Sequence, residues 1–234
     1  MINIIYRCSD LEIEKETFKE NRPDWFDKRK CFKSLVDSIK NNDVDCNIKV
    51  VHDGDENGKL ISYIKKFDVE ILNISCRSNS ESLVYCCNLA DTLDDKIYFL
   101  EDDYLHSNES IKIINEGLDK FGLVTVYDHP DRYIRDDDIT KGKEEISTTT
   151  SCHWRTHEAT TGTFALTKNM WSGVSEPAKR NLKGTLDRNF FREIYLNLNI
   201  RLWGSIYGRS THMNKYQLGY FVDWKNINNN IKGV

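Results

Sequence analysis

Short apolar runs alternate with helical patterns along the first half of the chain. Runs rich in β-branched and aromatic residues predict strands at 2–8, 47–55, 69–75, 96–103 and 123–129. Apolar residues at helical spacing predict helices between them, at 28–42, 59–67, 80–93 and 110–121. Because strands separated by helices form parallel sheets with both faces covered, this order predicts a doubly wound α/β fold. Ligands of such sheets bind beyond the carboxyl ends of the strands, so the polar residues found there are candidates for a site.

The second half of the chain follows a different pattern. Residues 128–145 are polar and irregular, 145–167 predict two short strands joined by a turn, and 186–200 predict a helix. The tail beyond residue 200 mixes aromatic residues, glycine and a histidine without a clear period. We interpret residues 1–234 as a single domain, in which 1–130 form a nucleotide-binding half and 131–234 shape a specific pocket.

Composition excludes several classes of protein. Of the 234 residues, 30% are charged and 39% hydrophobic, which is typical of a globular protein and too apolar for a disordered one. The net charge of -4 argues against a nucleic-acid partner. The seven cysteines lack metal-ligand spacing, and no stretch approaches the ~18 apolar residues of a membrane span. We therefore expect a cytoplasmic protein with free thiols and no membrane span.

An acidic triplet follows the fourth predicted strand. Glu101, Asp102 and Asp103 come directly after the apolar sequence IYFL. Mg²⁺ and Mn²⁺ prefer oxygen ligands, and they commonly take one or two protein carboxylates together with substrate phosphate oxygens. By itself such a triplet is more often a solvated turn. Its place at a strand end, in a chain that lacks GxGxxG and GxxxxGK[ST], favours a metal-diphosphate site.

Further blocks carry a resemblance to a known family. They are EDD at 101–103, YDHPDRY at 127–133, SCHWRT at 151–156, TTGTFAL at 160–166 and THMNKYQLGYFVDW at 211–224. Together they resemble small glycosyltransferases of the GT-A fold from bacteria and large DNA viruses, including a chlorella-virus domain. The chain departs from that pattern at TTGTFA, where TTMTFA is expected, and at Met213 and Asn214, where glycine and glutamate are expected. The resemblance implies a Rossmann-like, mostly parallel sheet flanked by helices, with a smaller β/α region on the acceptor side.

The resemblance also implies how a metal ion is held. Asp103 is expected to be the direct ligand of Mn²⁺ or Mg²⁺, with His212 as a further ligand from a late loop. Glu101 and Asp102 are then expected to hold ribose hydroxyls or a metal-bound water. Without the resemblance, a surface or packing role for His212 is equally reasonable.

Four further residues are candidates for contacts with the nucleotide-sugar donor. Arg7 ends the first strand and can reach a base or phosphate, or form a surface salt bridge. Asp53 can accept a hydrogen bond from a pyrimidine, or serve only as a turn residue before Gly54. Ser80 is explained equally well as a helix cap. Arg155 is expected to help neutralise the diphosphate.

An inverting transfer needs a base that deprotonates the acceptor hydroxyl. Asp187, at the start of the predicted late helix, is our first candidate, because related enzymes place the base there. The alternative is a carboxylate that merely favours a helix N-terminus. Glu158 and His157 compete for the same role. Three residues within the shared blocks are candidates for framing a sugar: Tyr127, His129 and Trp154. For Trp154, core packing is an equal alternative.

We therefore predict a metal-dependent glycosyltransferase that moves a sugar from a nucleotide-diphosphate sugar to a hydroxyl of a glycan. UDP is the nucleotide that we favour. The alternatives are a sugar-phosphate nucleotidyltransferase and a non-catalytic carbohydrate-binding scaffold. The acidic, glycine-free segment after the first strand argues against the former. For a viral chain the location would be the host cytoplasm. Whether the chain is a domain of, or partner to, other glycosyltransferases is left open by the sequence.

Overall fold

A computed structural model describes residues 1–10, 20–184 and 187–234. Its strands and helices, numbered here in chain order within the described residues, are β1 Ile2–Cys8, α1 Lys28–Lys40, β2 Cys46–Asp53, α2 Lys59–Ile64, β3 Glu70–Ile74, α3 Asn79–Asp91, β4 Lys96–Glu101, β5 Tyr104–His106, α4 Ser110–Phe121, β6 Leu123–Thr125, α5 Asp131–Ile134, β7 Ile146–Thr148, β8 His153–His157, β9 Thr163–Thr167, α6 Lys168–Leu182, α7 Asp187–Leu198, β10 Leu202–Ile206, β11 Ser210–His212 and α8 Trp224–Asn230.

The main sheet is mixed, with two reversed strands, β9 and β8, among strands that otherwise run in one direction. Within the described residues it has nine strands in the order β3-β2-β1-β4-β9-β6-β10-β8-β7. Strands β3, β2, β1 and β4 are parallel neighbours, as the sequence predicts. Their carboxyl ends therefore meet at one edge of the sheet, where the acidic triplet lies.

Strand β9 corrects the predicted layout of the sheet. It runs antiparallel between β4 and β6, so β6 does not adjoin β4 as a fifth parallel strand. Residues 145–167 also form three strands, β7, β8 and β9, where two were predicted. An antiparallel strand needs no crossover helix, so its place in the sheet is not marked by the alternation of strand and helix along the chain. The sheet nevertheless remains mostly parallel, and the predicted fold class is confirmed.

Helices cover both faces of the sheet because side chains alternate along each strand. Ile4 and Tyr6 of β1 point into a core formed with α1, α2 and α4. Ile5, between them, joins a second core with α3, α6 and α7, which includes Phe99 and Trp171. None of the helices in the described part of the chain is both long and apolar enough to cross a membrane.

Candidate active site

The acidic triplet lies in the turn between β4 and β5, and its three carboxylates have different partners. Glu101 pairs with Arg7, its neighbour in the register of β1 and β4. Asp102 accepts hydrogen bonds from the Lys28 ammonium at 2.8 Å and from a backbone N–H at 3.0 Å. Asp103 turns toward the second sheet, which β5 forms with β11. The turn therefore distributes the three charges over three neighbouring positions at the same strand end.

Asp103 and His212 form a close pair. Strand β11 runs antiparallel to β5, and this register sets His212 opposite Tyr104, whose ring stacks on the imidazole at 5.3 Å. The imidazole Nε2 lies 2.9 Å from Asp103 Oδ2, and Nδ1 lies 2.8 Å from Gln217 Oε1. Burial lowers the pKa of His212, but the charge of Asp103 and the hydrogen bonds to Asp103 and Gln217 together outweigh burial, and the pKa is raised. The pair is thus fixed from both sides, by Tyr104 and by Gln217.

Arg22 completes this cluster, and sequence reasoning missed it. Its guanidinium donates to Asp103 Oδ2 at 2.7 Å and to the carbonyl of Met213 at 2.8 Å. Burial acts to raise the pKa of Asp103, but His212 and Arg22 outweigh it and the pKa is lowered. Asp103 is therefore held as a carboxylate. Arg22 lies 81 residues from its partner along the chain, and no local pattern signals such a pair.

The donor set fits a divalent cation in part. Within the described residues, the buried Oδ1 of Asp103 has no hydrogen-bond partner, so one carboxylate oxygen stays available. With Nδ1 facing an amide oxygen, the Nε2 of His212 is the atom turned toward Asp103. No cluster of three or more potential metal-ligating side chains occurs in the described part of the chain. A cation here would therefore take two protein ligands and complete its shell with substrate oxygens, as Mg²⁺ and Mn²⁺ commonly do.

Asp187 lies on the other side of the triplet, in the first turn of α7. Its Oδ2 accepts a hydrogen bond from the Gly162 N–H at 3.1 Å. It borders a cavity of about 30 Å³, which it shares with Arg7 and Glu101 and with apolar side chains of α3 and β9. Burial, followed by the charge of Glu101, raises the pKa of Asp187 to about 6, although Gly162 and Arg7 act in the opposite direction. Asp187 is the carboxylate of this region whose pKa lies near neutrality.

Gly162 allows the close approach of these groups. Its φ is +61°, which side chains rarely adopt, and a Cβ at this position would lie 2.4 Å from Glu101 Oε2. The sequence TTGTFA departs from the related TTMTFA at this residue. Because this residue is a glycine, the backbone that donates a hydrogen bond to Asp187 can also pass close to the Glu101 side chain.

Arg7 is held by several groups at once. Its guanidinium donates to Asn79 Oδ1 at 2.5 Å and Ser82 Oγ at 3.0 Å, besides Glu101. Asn79 and Ser82 lie in the first turn of α3, so Arg7 is a partly buried residue held by a network and is not in a simple surface salt bridge. Ser80 lies outside this network, since its hydroxyl donates to the carbonyl of Lys183.

The remaining predicted residues have structural partners. Asp53 is buried and accepts a hydrogen bond from the Arg77 N–H at 3.1 Å, a contact that shapes the loop after β2. Arg155 pairs with the buried Asp128 at 3.1 Å and lies over the Tyr133 ring. Neither side chain is joined to the Asp103 cluster by a direct contact among the described residues.

Glu158 contacts α7, whereas the His157 ring lies beside Gly204 of β10. Both carboxylate oxygens of Glu158 accept from Arg188, at 2.7 and 2.8 Å, and Arg192 adds a further contact. His157 is buried, and burial holds its pKa well below the usual value. Glu158 is therefore neutralised by two arginines and anchors α7, the helix that carries Asp187. Two of the aromatic residues that the sequence offered for sugar contact, Tyr127 and Trp154, are fully buried in the core.

Of the comparisons with known proteins, the one with solved structures identifies the fold. No family model matches the sequence, and no curated protein matches it. Among solved structures, 4-diphosphocytidyl-2C-methyl-D-erythritol synthase from Anaerococcus prevotii aligns with a TM-score of 0.51 at 11% identity, over 97% of this chain and 92% of that one. A protein from Desulfovibrio desulfuricans named for nucleotide-diphospho-sugar transfer aligns with a TM-score of 0.51 at 9% identity, over 87% and 78%. The chain has the α/β fold that these proteins share, which is the GT-A-like fold implied by the resemblance.

Proposed function

We propose that the protein is a metal-dependent glycosyltransferase that uses a nucleotide-diphosphate sugar, in particular a UDP-sugar, and delivers the sugar to a hydroxyl of a glycan. The observation that carries the proposal is that a candidate metal site and a candidate base lie on opposite sides of one acidic turn. On one side lies the Asp103–His212 pair, with its available carboxylate oxygen. On the other side lies Asp187, with a pKa of about 6.

The donor side follows from the residues at the ends of β1 and β4. Arg7 presents a fixed guanidinium, and Glu101 is oriented by it, so both are placed for a phosphate or a ribose hydroxyl. Asp103 and His212 would hold Mn²⁺ or Mg²⁺. Such an ion, when bound, neutralises the diphosphate leaving group. Oδ1 of Asp103 is the oxygen that remains for this ion, and the charge of Arg22, which holds Oδ2, would lie next to the diphosphate.

The acceptor side follows from Asp187. A carboxylate with a pKa of about 6 is mostly ionised at pH 7 and is a stronger base than an ordinary aspartate. It accepts the proton of the acceptor hydroxyl as that oxygen attacks the anomeric carbon. The Gly162 N–H holds the carboxylate oxygen in place, and Glu158 anchors α7 through Arg188.

One observation favours nucleotidyl transfer as a second candidate. The sequence argued against it because no glycine-rich basic loop follows β1, but the structure sets Arg22 and Lys28 against Asp103 and Asp102. Two cations at a strand end can bind the triphosphate of a nucleotide as well as a diphosphate. Asp187 has no evident task in that reaction, and for this reason we place it second.

The test is a screen of nucleotide sugars for release of the nucleoside diphosphate, with Mn²⁺, with Mg²⁺ and with EDTA. We expect metal-dependent release from one donor class, lost in Asp103→Asn and retained in Asp68→Asn, a change at an exposed aspartate. A parallel screen of nucleoside triphosphates with sugar 1-phosphates follows pyrophosphate. Pyrophosphate release without any turnover of nucleotide sugars would contradict glycosyl transfer and support the second candidate.

A further inference from the structure

Several aromatic side chains are exposed together on the acceptor half. Tyr133 is 39% exposed, Tyr207 52%, Tyr220 41% and Phe221 71%. Their rings contact one another, with centroids 5.7 Å apart for Tyr133 and Tyr220 and 5.3 Å apart for Tyr207 and Phe221. Contiguous exposed apolar surface of this kind usually marks a binding site. The rings come from α5, from the segment after β10 and from the tail, so no run of the sequence reveals the patch.

A groove of about 460 Å³ opens beside these rings. We call it the tail groove. Its walls include four rings and two lysines: Trp25, Tyr216, Tyr220, Phe221, Lys215 and Lys225. This volume lies in the range of small-ligand pockets, about 300–1,000 Å³.

The chemistry of the tail groove suits a sugar. The flat C–H faces of a pyranose pack on aromatic rings, while its hydroxyls need donors and acceptors around the rim. Lys215 and Lys225 supply donors, and Asp223 supplies a carboxylate beside them. A purely apolar partner surface would leave these charged groups buried without partners.

The Tyr133 ring and the loop that carries Tyr220 and Phe221 are held in place before any ligand arrives. The Tyr133 hydroxyl donates to the buried Asp128 at 2.6 Å, and the Arg155 guanidinium lies 4.5 Å from the centre of its ring. Phe221 has a φ of +67°, which is uncommon for a bulky residue, and its side chain nevertheless points to solvent. The Trp224 indole fixes the same loop by donating to the Gly219 carbonyl at 2.8 Å. Fixed rings lose little conformational entropy on binding.

The tail groove is connected directly to the Asp103–His212 pair. Gln217, in the loop that carries the exposed rings, contacts His212 at 2.8 Å. The Lys215 N–H donates to the Asn21 carbonyl at 2.8 Å, next to Arg22. The same loop therefore forms one wall of the groove and orients a residue of the candidate metal site.

We propose that the tail groove and the adjoining exposed rings bind a sugar unit of the glycan acceptor. This inference rests on the proposed function and extends it, because it assigns the acceptor to aromatic residues outside the Asp103–Asp187 crevice. In place of the buried Tyr127 and Trp154, the rings that contact the acceptor are Tyr220 and Phe221. The class of ligand that fits the tail groove is an uncharged oligosaccharide that extends from the crevice across the loop.

The test uses the full chain without donor on a printed array of uncharged oligosaccharides of two to four units. We expect the wild type to bind a subset of them and the double variant Tyr220→Ala, Phe221→Ala to bind at least tenfold more weakly. Tyr85→Ala is the matched control, because Tyr85 is a partly exposed aromatic residue on α3, outside the groove. Circular dichroism checks that each variant is folded.

Absence of binding by the wild type, or equal binding by the double variant, would overturn the inference. Binding to phosphatidylcholine and phosphatidylglycerol vesicles that requires Phe221, with none to glycans, would also overturn it and assign the patch to a membrane surface. Because the array contains no nucleotide sugar, its result is independent of the turnover screen. Glycan binding without donor turnover would support the groove while contradicting the proposed transfer.

Discussion

Replacing Asp187 by asparagine is expected to stop sugar transfer and, above about pH 6, to stabilise the fold. The pKa of this carboxyl in the folded protein is about 6, against 3.8 for an ordinary aspartate. A group whose pKa is raised by folding contributes stability that is fully present below the lower value and is lost as pH rises through the higher one. Asparagine does not ionise, so the asparagine variant does not lose this stability as the pH rises.

The magnitude follows from the difference in pKa. About two units, at 1.36 kcal/mol each, give at most about 3 kcal/mol between the wild type and the variant. Roughly half of this, about 1.5 kcal/mol, develops between pH 5 and pH 8, where the wild type can be measured in its folded state. Burial and then the charge of Glu101 disfavour the ionised carboxylate, whereas the Gly162 N–H and Arg7 favour it.

The assay is urea unfolding followed by tryptophan fluorescence at intervals of half a pH unit. We expect the free energy of unfolding of Asp187→Asn, minus that of the wild type, to increase by about 1.5 kcal/mol from pH 5 to pH 8. Asp68→Asn, at an exposed position, is the control and is expected to show a flat difference.

A flat or falling difference for Asp187→Asn would refute the reasoning. It would mean that the helix N-terminus and the Gly162 N–H govern this carboxylate and hold it ionised, as the alternative sequence interpretation had it. Asp187 would then be a structural cap, and the base would have to be sought elsewhere.

Further predictions concern the neighbouring groups. Asp103→Asn is expected to abolish Mn²⁺-dependent binding of the donor by calorimetry, and unchanged binding would refute the metal assignment. Gly162→Ala should lower the free energy of unfolding by about 1–3 kcal/mol, because its Cβ meets Glu101 and its φ is positive; urea unfolding measures this loss, and an unchanged midpoint would argue against the close approach. Glu158→Gln should lower kcat by weakening the contact of Glu158 with Arg188 of α7, while the acidic limb of the pH profile stays near pH 6; disappearance of that limb would instead identify Glu158 as the base.

The sequence predicts the parallel half of the fold closely. Strand β1 and helix α4 have the predicted bounds, and β2, β3 and β4 differ from prediction by at most two residues at each end. Buried parallel strands are apolar throughout and their helices are amphipathic, so both periods are plain in the sequence. Helix α6 was not predicted from the sequence, because Gly173 and Pro177 interrupt its helical pattern of apolar residues.

The candidate site is only partly predictable from sequence. Strand ends supplied Arg7 and the acidic triplet, because the direction of a strand fixes where its last side chains lie. Lys28 and Arg22 could not be found in this way, since they reach the triplet across 74 and 81 residues. Family resemblance offered Trp154 for sugar contact, but a large aromatic residue within a strand more often fills the core, as it does here.

The pairing of β5 with β11 has a consequence for the order of assembly. Asp103 and His212 are 109 residues apart, so the imidazole joins the carboxylate only after all the residues between them have been synthesised. Closing so long a loop belongs to the slow, non-local part of folding. A newly made chain therefore carries the acidic turn well before its histidine partner arrives. Any ion that needs both ligands would bind, and thereby stabilise, the finished fold in preference to its folding intermediates.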